Sequence, residues 1–188
     1  MRPGEFLEIL HFAEKLKDTT RHCTTSGRRR ESVAEHCWRV SLMAMLLKNE
    51  FRALDTDKVI RMCLIHDLGE CFTGDIPAFD KTNADRDTEE KLLNKWVSGL
   101  PEEVSGELSA LYDEMERQET AEAKLFKALD KLEAVIQHNE SPLDTWSPIE
   151  LELNKTYGSD TVAFSEWLTE LRELLKYETV EKIEREKA

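Results

Sequence analysis

Residues Lys58–Asp67 read KVIRMCLIHD, an apolar run that ends in an imidazole followed directly by a carboxylate. Val59, Met62 and Cys63 recur at helical spacing, and His66 falls on the same face. A helix that buries this face carries His66 into packed protein, with Asp67 at its end. Ionisable groups held there without partners are costly. A divalent cation that takes both nitrogen and oxygen donors removes that cost, so further ligands are expected elsewhere in the chain.

Upstream, SVAE at Ser32–Glu35 is a capping box, which predicts a helix from near Val33. The stretch VAEHCWRVSLMAMLL is apolar nearly all round, as befits a central helix, and His36 shares a face with Val33, Val40, Met43 and Leu47. Downstream, Leu125, Leu129, Leu132 and Ile136 form the apolar stripe of a helix over 121–138. Asp130 lies at its edge beside Phe126, and Glu133 falls inside it. A single buried histidine is more often a satisfied core residue than a ligand, and a single helix-end aspartate is unremarkable. Three buried helices that each offer a polar group make one shared ion the simpler reading.

The 188 residues, 40% hydrophobic and 35% charged with only seven glycines, suit one helix-rich domain over 1–188. A net charge of −13 argues against a nucleic-acid polymer or an anionic membrane as partner, but leaves room for a small anion in a local pocket. Cys23, Cys37, Cys63 and Cys71 show no CxxC spacing and are expected as reduced thiols. With no run of about eighteen apolar residues and no signal-like start, a cytoplasmic location is expected. Helices are expected over 5–17, from 55 to 67, over 88–97, from 101, over 119–138 and from about 160, with 18–30 read as a polar loop. LGECFTGDIPAFDKTNADRD, from Leu68 to Asp87, reads as a helical turn and a long candidate lid. Trp38, Trp96, Trp146 and Trp167 are expected as packing residues, and His11 and His138 as surface residues. The last helix carries Phe164, Trp167, Leu168, Leu171 and Leu175 on one face, an apolar surface compatible with a homodimer.

The order His36, His66-Asp67, Asp130, with the flanking ESVAEH, HDLGE, TGD and ALDKLE, resembles the H…HD…D signature of the HD-domain metal-dependent phosphohydrolases, and within them the 5′-deoxynucleotidase branch. The resemblance covers about residues 5–140, leaving 141–188 as a C-terminal helical extension. It implies an all-α bundle of six to eight helices around a metal site with His36, His66, Asp67 and Asp130 as ligands of one divalent ion. The donor set suits Mn²⁺, Co²⁺, Fe²⁺, Ni²⁺ or Zn²⁺. Two-metal relatives add histidines between the HD pair and the last aspartate; this chain has none there.

The resemblance further implies hydrolysis of a nucleoside 5′-monophosphate to nucleoside and phosphate. Glu70 matches the acid of HD-x-x-E, beside Asp67 in the catalytic group. Arg21 matches a phosphate-contacting arginine, and Asp75, in TGD, a contact to the sugar hydroxyl. Lys127 and Arg29 are further candidate phosphate ligands, since Arg grips phosphate bidentately and Lys acts as a point charge. Glu133 is expected to orient a ligand. Where the family has Trp after that arginine, this chain has His22, which leaves the sugar preference open. Other readings are a phosphohydrolase for another small phosphate ester or for a di- or triphosphate nucleotide, and a non-catalytic nucleotide-sensing module. Glu70 speaks against the last, because a purely structural site has no need of an acid beside an open position.

Overall fold

The structure is a computed structural model, which describes residues 1–187. Its elements are α1 (Pro3–Ala13), a 3₁₀ turn (Glu14–Lys17), β1 (Thr20–Thr24), β2 (Arg30–Ser32), α2 (Val33–Leu46), α3 (Thr56–Ile65), α4 (Glu70–Thr73), α5 (Asn83–Ser98), α6 (Glu102–Arg117), α7 (Ala121–Glu140), α8 (Glu150–Leu153) and α9 (Glu166–Lys187). The fold is all-α apart from one small hairpin. Among the described residues seven helices have ten residues or more, while α4 and α8 are single turns.

Local chemistry sets the helix starts. The Ser32 hydroxyl accepts from Glu35 N at 3.3 Å and Glu35 Oε2 accepts from Ser32 N at 2.9 Å, closing the expected capping box. Asp55, Thr82 and Thr120 cap α3, α5 and α7 in the same way, each accepting a backbone N–H three residues on. Tyr112 Oη donates to Ile65 O at 2.7 Å and so holds the end of α3 where His66 begins.

Helices α2, α3 and α7 form the centre. Val40, Ala44, Val59, Met62, Cys63, Leu125, Leu129 and Leu132 are fully enclosed between them, and burial of each large side chain contributes roughly 1.5–3 kcal/mol. Leu111 and Met115 of α6 and Leu168 and Leu175 of α9 close this core from two sides. A smaller cluster of Leu16, Val33, Cys37, Leu68, Leu93 and Val97 fastens α5 to the base of α2.

Several expectations are corrected. The segment read as a polar loop over 18–30 contains β1, which pairs antiparallel with β2. Its turn, TSGR, places Arg28 in the left-handed region at φ 63°. The helix expected over 5–17 runs as α1 only to Ala13, and the 3₁₀ turn after it supplies the buried Leu16. The last helix starts at Glu166 rather than near 160. Trp38 is not a packing residue: it is 62% exposed, on the outer side of α2. His138 is buried, because the 141–157 segment folds over the face of α7 that the apolar stripe leaves free. No described helix is long and apolar enough to cross a membrane.

Candidate metal centre and its cavity

The ends and inner faces of three central helices converge on one point. His36 comes from the first turns of α2, His66 and Asp67 from the end of α3, and Asp130 from the middle of α7. His66 Nε2 lies 3.0 Å from Asp67 Oδ2, 3.6 Å from Asp130 Oδ1 and 3.3 Å from His36 Nε2. His36 Nε2 is 3.2 Å from Asp130 Oδ1 and 3.7 Å from Asp67 Oδ2.

The remaining ring nitrogens explain why this point favours a cation. His36 Nδ1 donates to Glu133 Oε2 at 2.5 Å, and His66 Nδ1 donates to Cys63 O at 2.9 Å. Both Nε2 atoms therefore present lone pairs towards each other and towards two carboxylates. The two Nε2 atoms and Asp67 Oδ2 lie 3.0–3.7 Å from one another, and Asp130 Oδ1 lies 3.2 and 3.6 Å from the two Nε2 atoms; acceptors so placed repel unless a proton or a metal ion sits among them. Metal bonds of about 2.0–2.2 Å place neighbouring ligand atoms at about this spacing, so the donor set fits a divalent ion. The outward hydrogen bonds are those that fix the tautomer of a metal-binding histidine.

Electrostatics keep the carboxylates anionic. Burial alone would raise both; the His66 ring outweighs it at Asp67, lowering its pKa to about 2, and the Lys127 ammonium outweighs it at Asp130, which is held well below the usual range. At His66, burial is overcome by Asp67 and the pKa stands well above the ordinary value.

Glu70 lies buried at the first position of α4, 5% exposed, and its Oε2 has no partner among the described residues. Burial, then the nearby charges of Asp67, Asp75 and Glu89, push its carboxyl up to about 10. Arg21, on β1, is enclosed: its Nη1 donates to Glu31 at 2.6 Å and to Glu133 at 3.2 Å. With Arg39, whose Nε lies 3.9 Å from Glu133 Oε1, it supplies the counter-charge for Glu31 and Glu133. Lys127 Nζ donates to Asp130 Oδ2 at 2.8 Å from one turn before it.

A cavity of about 150 Å³ adjoins the centre. Arg21, Glu70, Asp75 and Lys127 all line it, as do His36, Asp67 and Asp130. A cleft of about 530 Å³ between α5, α6 and α7 reaches His66, Asp67 and Asp130 from the other side. The larger groove of about 720 Å³ between α1 and α5 holds none of these groups.

Arg29 does not join the site. It stands on the outer surface, its Nη1 donating to Glu35 Oε2 at 2.8 Å and its Nη2 to Glu35 Oε1, the capping carboxylate of α2. His22, read at the position of the family's Trp, also lines the cavity; sequence reasoning missed other lining residues, Lys81 and Arg86, from the loop and first turns around α5, and His138, Glu150 and Tyr157. These lie far apart in the chain and share no motif; only the TGD-to-α5 loop, read as a lid, signalled that part of the wall.

The HD domain family matches residues 13–172, most of the chain. The protein belongs to the HD domain family. The matched region runs past residue 140 into the segment that supplies Glu150 and Tyr157. By overall structure this HD protein is similar to a chain from Magnetospirillum magnetotacticum described as a predicted metal-dependent phosphohydrolase, with a TM-score of 0.81 and 30% identity over 96% of this chain and 94% of the other. A conserved hypothetical protein from Pyrococcus furiosus is similar at a TM-score of 0.64, with 29% identity over 89% and 99%. By sequence it is 38% identical over 114 residues to human 5′-deoxynucleotidase HDDC2, which is 60% of this chain and 55% of that protein. The Xenopus laevis protein of the same name is 40% identical over 57% and 53%. The HD protein's matched part thus spans about half the length of these curated relatives.

Proposed function

We propose that this protein hydrolyses nucleoside 5′-monophosphates to nucleoside and inorganic phosphate, using one divalent ion held by His36, His66, Asp67 and Asp130. The observation that carries the reading is the convergence of two imidazole lone pairs and two anionic carboxylates beside a cavity lined with cations. Membership of the HD domain family and the names of the sequence relatives support it. The donor set accepts Mn²⁺, Co²⁺, Fe²⁺, Ni²⁺ or Zn²⁺.

Such an ion, when bound, lowers the pKa of a coordinated water from 15.7 towards about 7 and so supplies the nucleophile. The chain's own residues do the rest. Lys127 and Arg86, in the walls next to Asp130 and Asp67, attract the phosphate dianion. Arg21, with Nη1 fixed by two carboxylates, is oriented at the cavity edge as a rigid donor. Glu70, buried with an unpartnered oxygen, is placed to move a proton between water and the leaving oxygen, a contribution typically of ~10²–10⁴ in rate. Asp75 adds an acceptor for a sugar hydroxyl.

A single phosphate is favoured over a polyphosphate by charge. Lys81 is paired with Glu89, Lys127 with Asp130 and Arg21 with Glu31 and Glu133, which leaves Arg86 as the lining Lys or Arg without an ion pair among the described residues. The test is phosphate release from a panel of ribo- and deoxyribonucleoside 5′-monophosphates by metal-stripped protein reloaded with each ion in turn. Silence across the panel, with metal bound, would move the assignment to another phosphate ester.

A further inference from the structure

A second imidazole–carboxylate cluster lines the same cavity and includes none of the four residues above. His22 comes from β1, His138 from the last turns of α7 and Glu150 from the start of α8. His22 Nε2 lies 2.8 Å and His138 Nε2 3.0 Å from the same oxygen, Glu150 Oε1.

Two of the three groups are fixed from behind. His138 Nδ1 is 2.8 Å from Ala134 O; a carbonyl only accepts, so Nδ1 carries a proton and Nε2 of the neutral ring points a lone pair at the carboxylate. Glu150 Oε2 accepts from the Ser147 backbone N–H at 2.5 Å and from the Ser147 hydroxyl at 2.8 Å, which turns Oε1 towards the imidazoles. A lone pair facing a carboxylate oxygen at hydrogen-bond distance requires a cation between them, whether a proton or a metal ion. His138 and Glu150 are buried, while His22 keeps 26% of its side-chain surface and gives access from the cavity.

We propose that His22, His138 and Glu150 form a second divalent-metal site of the Zn²⁺ type, with its remaining position open to the cavity. Two imidazole nitrogens and one carboxylate oxygen are a set that Zn²⁺ takes when one coordination position is left open. The three ligand atoms lie within 4.8 Å of one another. Bonds of about 2.0–2.2 Å need neighbouring ligand atoms slightly more than 3 Å apart, so the rings have only a few tenths of an ångström to open. The backbone carbonyl behind His138 and the serine behind Glu150 are the orienting partners such a site requires. Behind the third ligand, Asp75 Oδ2 lies 4.0 Å from His22 Nδ1, and neither atom has a hydrogen-bond partner among the described residues. The open position takes a Lewis-basic oxygen or nitrogen from whatever fills the cavity.

The test counts metal and needs no activity. Metal-stripped protein is dialysed against Zn²⁺ alone and its bound zinc measured by mass spectrometry, with circular dichroism as the check of folding. The wild type should hold two equivalents and His22→Ala one. Asp67→Ala should also hold one, and the Asp67→Ala/His22→Ala double variant none. His22→Ala is the primary variant because the side chain is partly exposed; Glu150→Gln should repeat its loss. A wild-type zinc content that His22→Ala does not lower would overturn the proposal and leave the cluster as a protonated ion pair. Loss of the Asp67-dependent ion alone would instead sink the reading of the HD centre.

Discussion

His36 Nε2 and His66 Nε2 stand 3.3 Å apart, on rings whose Nδ1 protons are already given to Glu133 and to the Cys63 carbonyl. Two lone pairs so placed demand a cation, and the Glu133 contact decides which nitrogen of His36 is free to bind it. Glu133→Gln should therefore lower metal affinity by about 10–100-fold without removing a ligand. Competition with a chromogenic chelator measures it. Affinity equal to wild type would mean that Glu133 serves only Arg21.

Glu70 has a different place in the account, since it touches neither histidine nor the metal-facing oxygens. Glu70→Gln should retain metal stoichiometry and lower kcat by about 10²–10⁴. Full activity in that variant would remove Glu70 from proton transfer.

Cations near the site separate by what they face. Lys127→Ala should raise KM for a nucleoside monophosphate by roughly tenfold and weaken inhibition by inorganic phosphate, the loss of about 1.4 kcal/mol of binding. Arg29→Ala, which removes a surface pair with Glu35, should change neither. Steady-state kinetics on the two variants side by side check this, and an Arg29 effect as large as that of Lys127 would place the phosphate elsewhere.

The His22 cluster predicts a pH signature for the metal-free protein. Burial alone would lower the His22 pKa, but the Asp75 and Glu150 carboxylates outweigh it and raise it from 6.5 to about 9. A folded-state value above the unfolded one gives stability that is complete below pH 6.5 and lost as pH rises through about 9, worth up to about 3 kcal/mol. Thermal melts of stripped protein between pH 6 and 9.5 should show this decline, and His22→Ala should flatten it. Zn²⁺ should also restore the midpoint at high pH in the wild type, where the metal replaces the proton. A decline of the same size in His22→Ala would assign it to another group.

Much of this molecule can be read from its residues because its helices are locally consistent. The Ser32–Glu35 box, the Val59-to-His66 face and the stripe from Leu125 to Ile136 each placed a helix and its inward polar group. Glu133 was visible for the same reason, as a charge inside an apolar stripe. What the sequence concealed depends on long-range covering. His138 lies opposite that stripe, yet Trp146 and Glu150 fold over it, with Trp146 Nε1 donating to the His138 carbonyl at 3.2 Å. The hairpin escaped because strands of five and three residues carry too little alternation to stand out from a polar turn. Arg29 misled because a run of arginines before a buried histidine suggests an anion, whereas the capping glutamate of α2 sits closer.

The most direct measurement follows phosphate release from a deoxyribonucleoside 5′-monophosphate while Co²⁺ is titrated into stripped protein, in parallel for the wild type and Asp67→Ala. Release should be absent without metal, should rise in proportion to the Asp67-dependent equivalent of bound Co²⁺, and should stay absent in Asp67→Ala at every concentration. Release from the stripped protein, or equal release from Asp67→Ala, would contradict the assignment of the His36, His66, Asp67 and Asp130 centre as the site of hydrolysis.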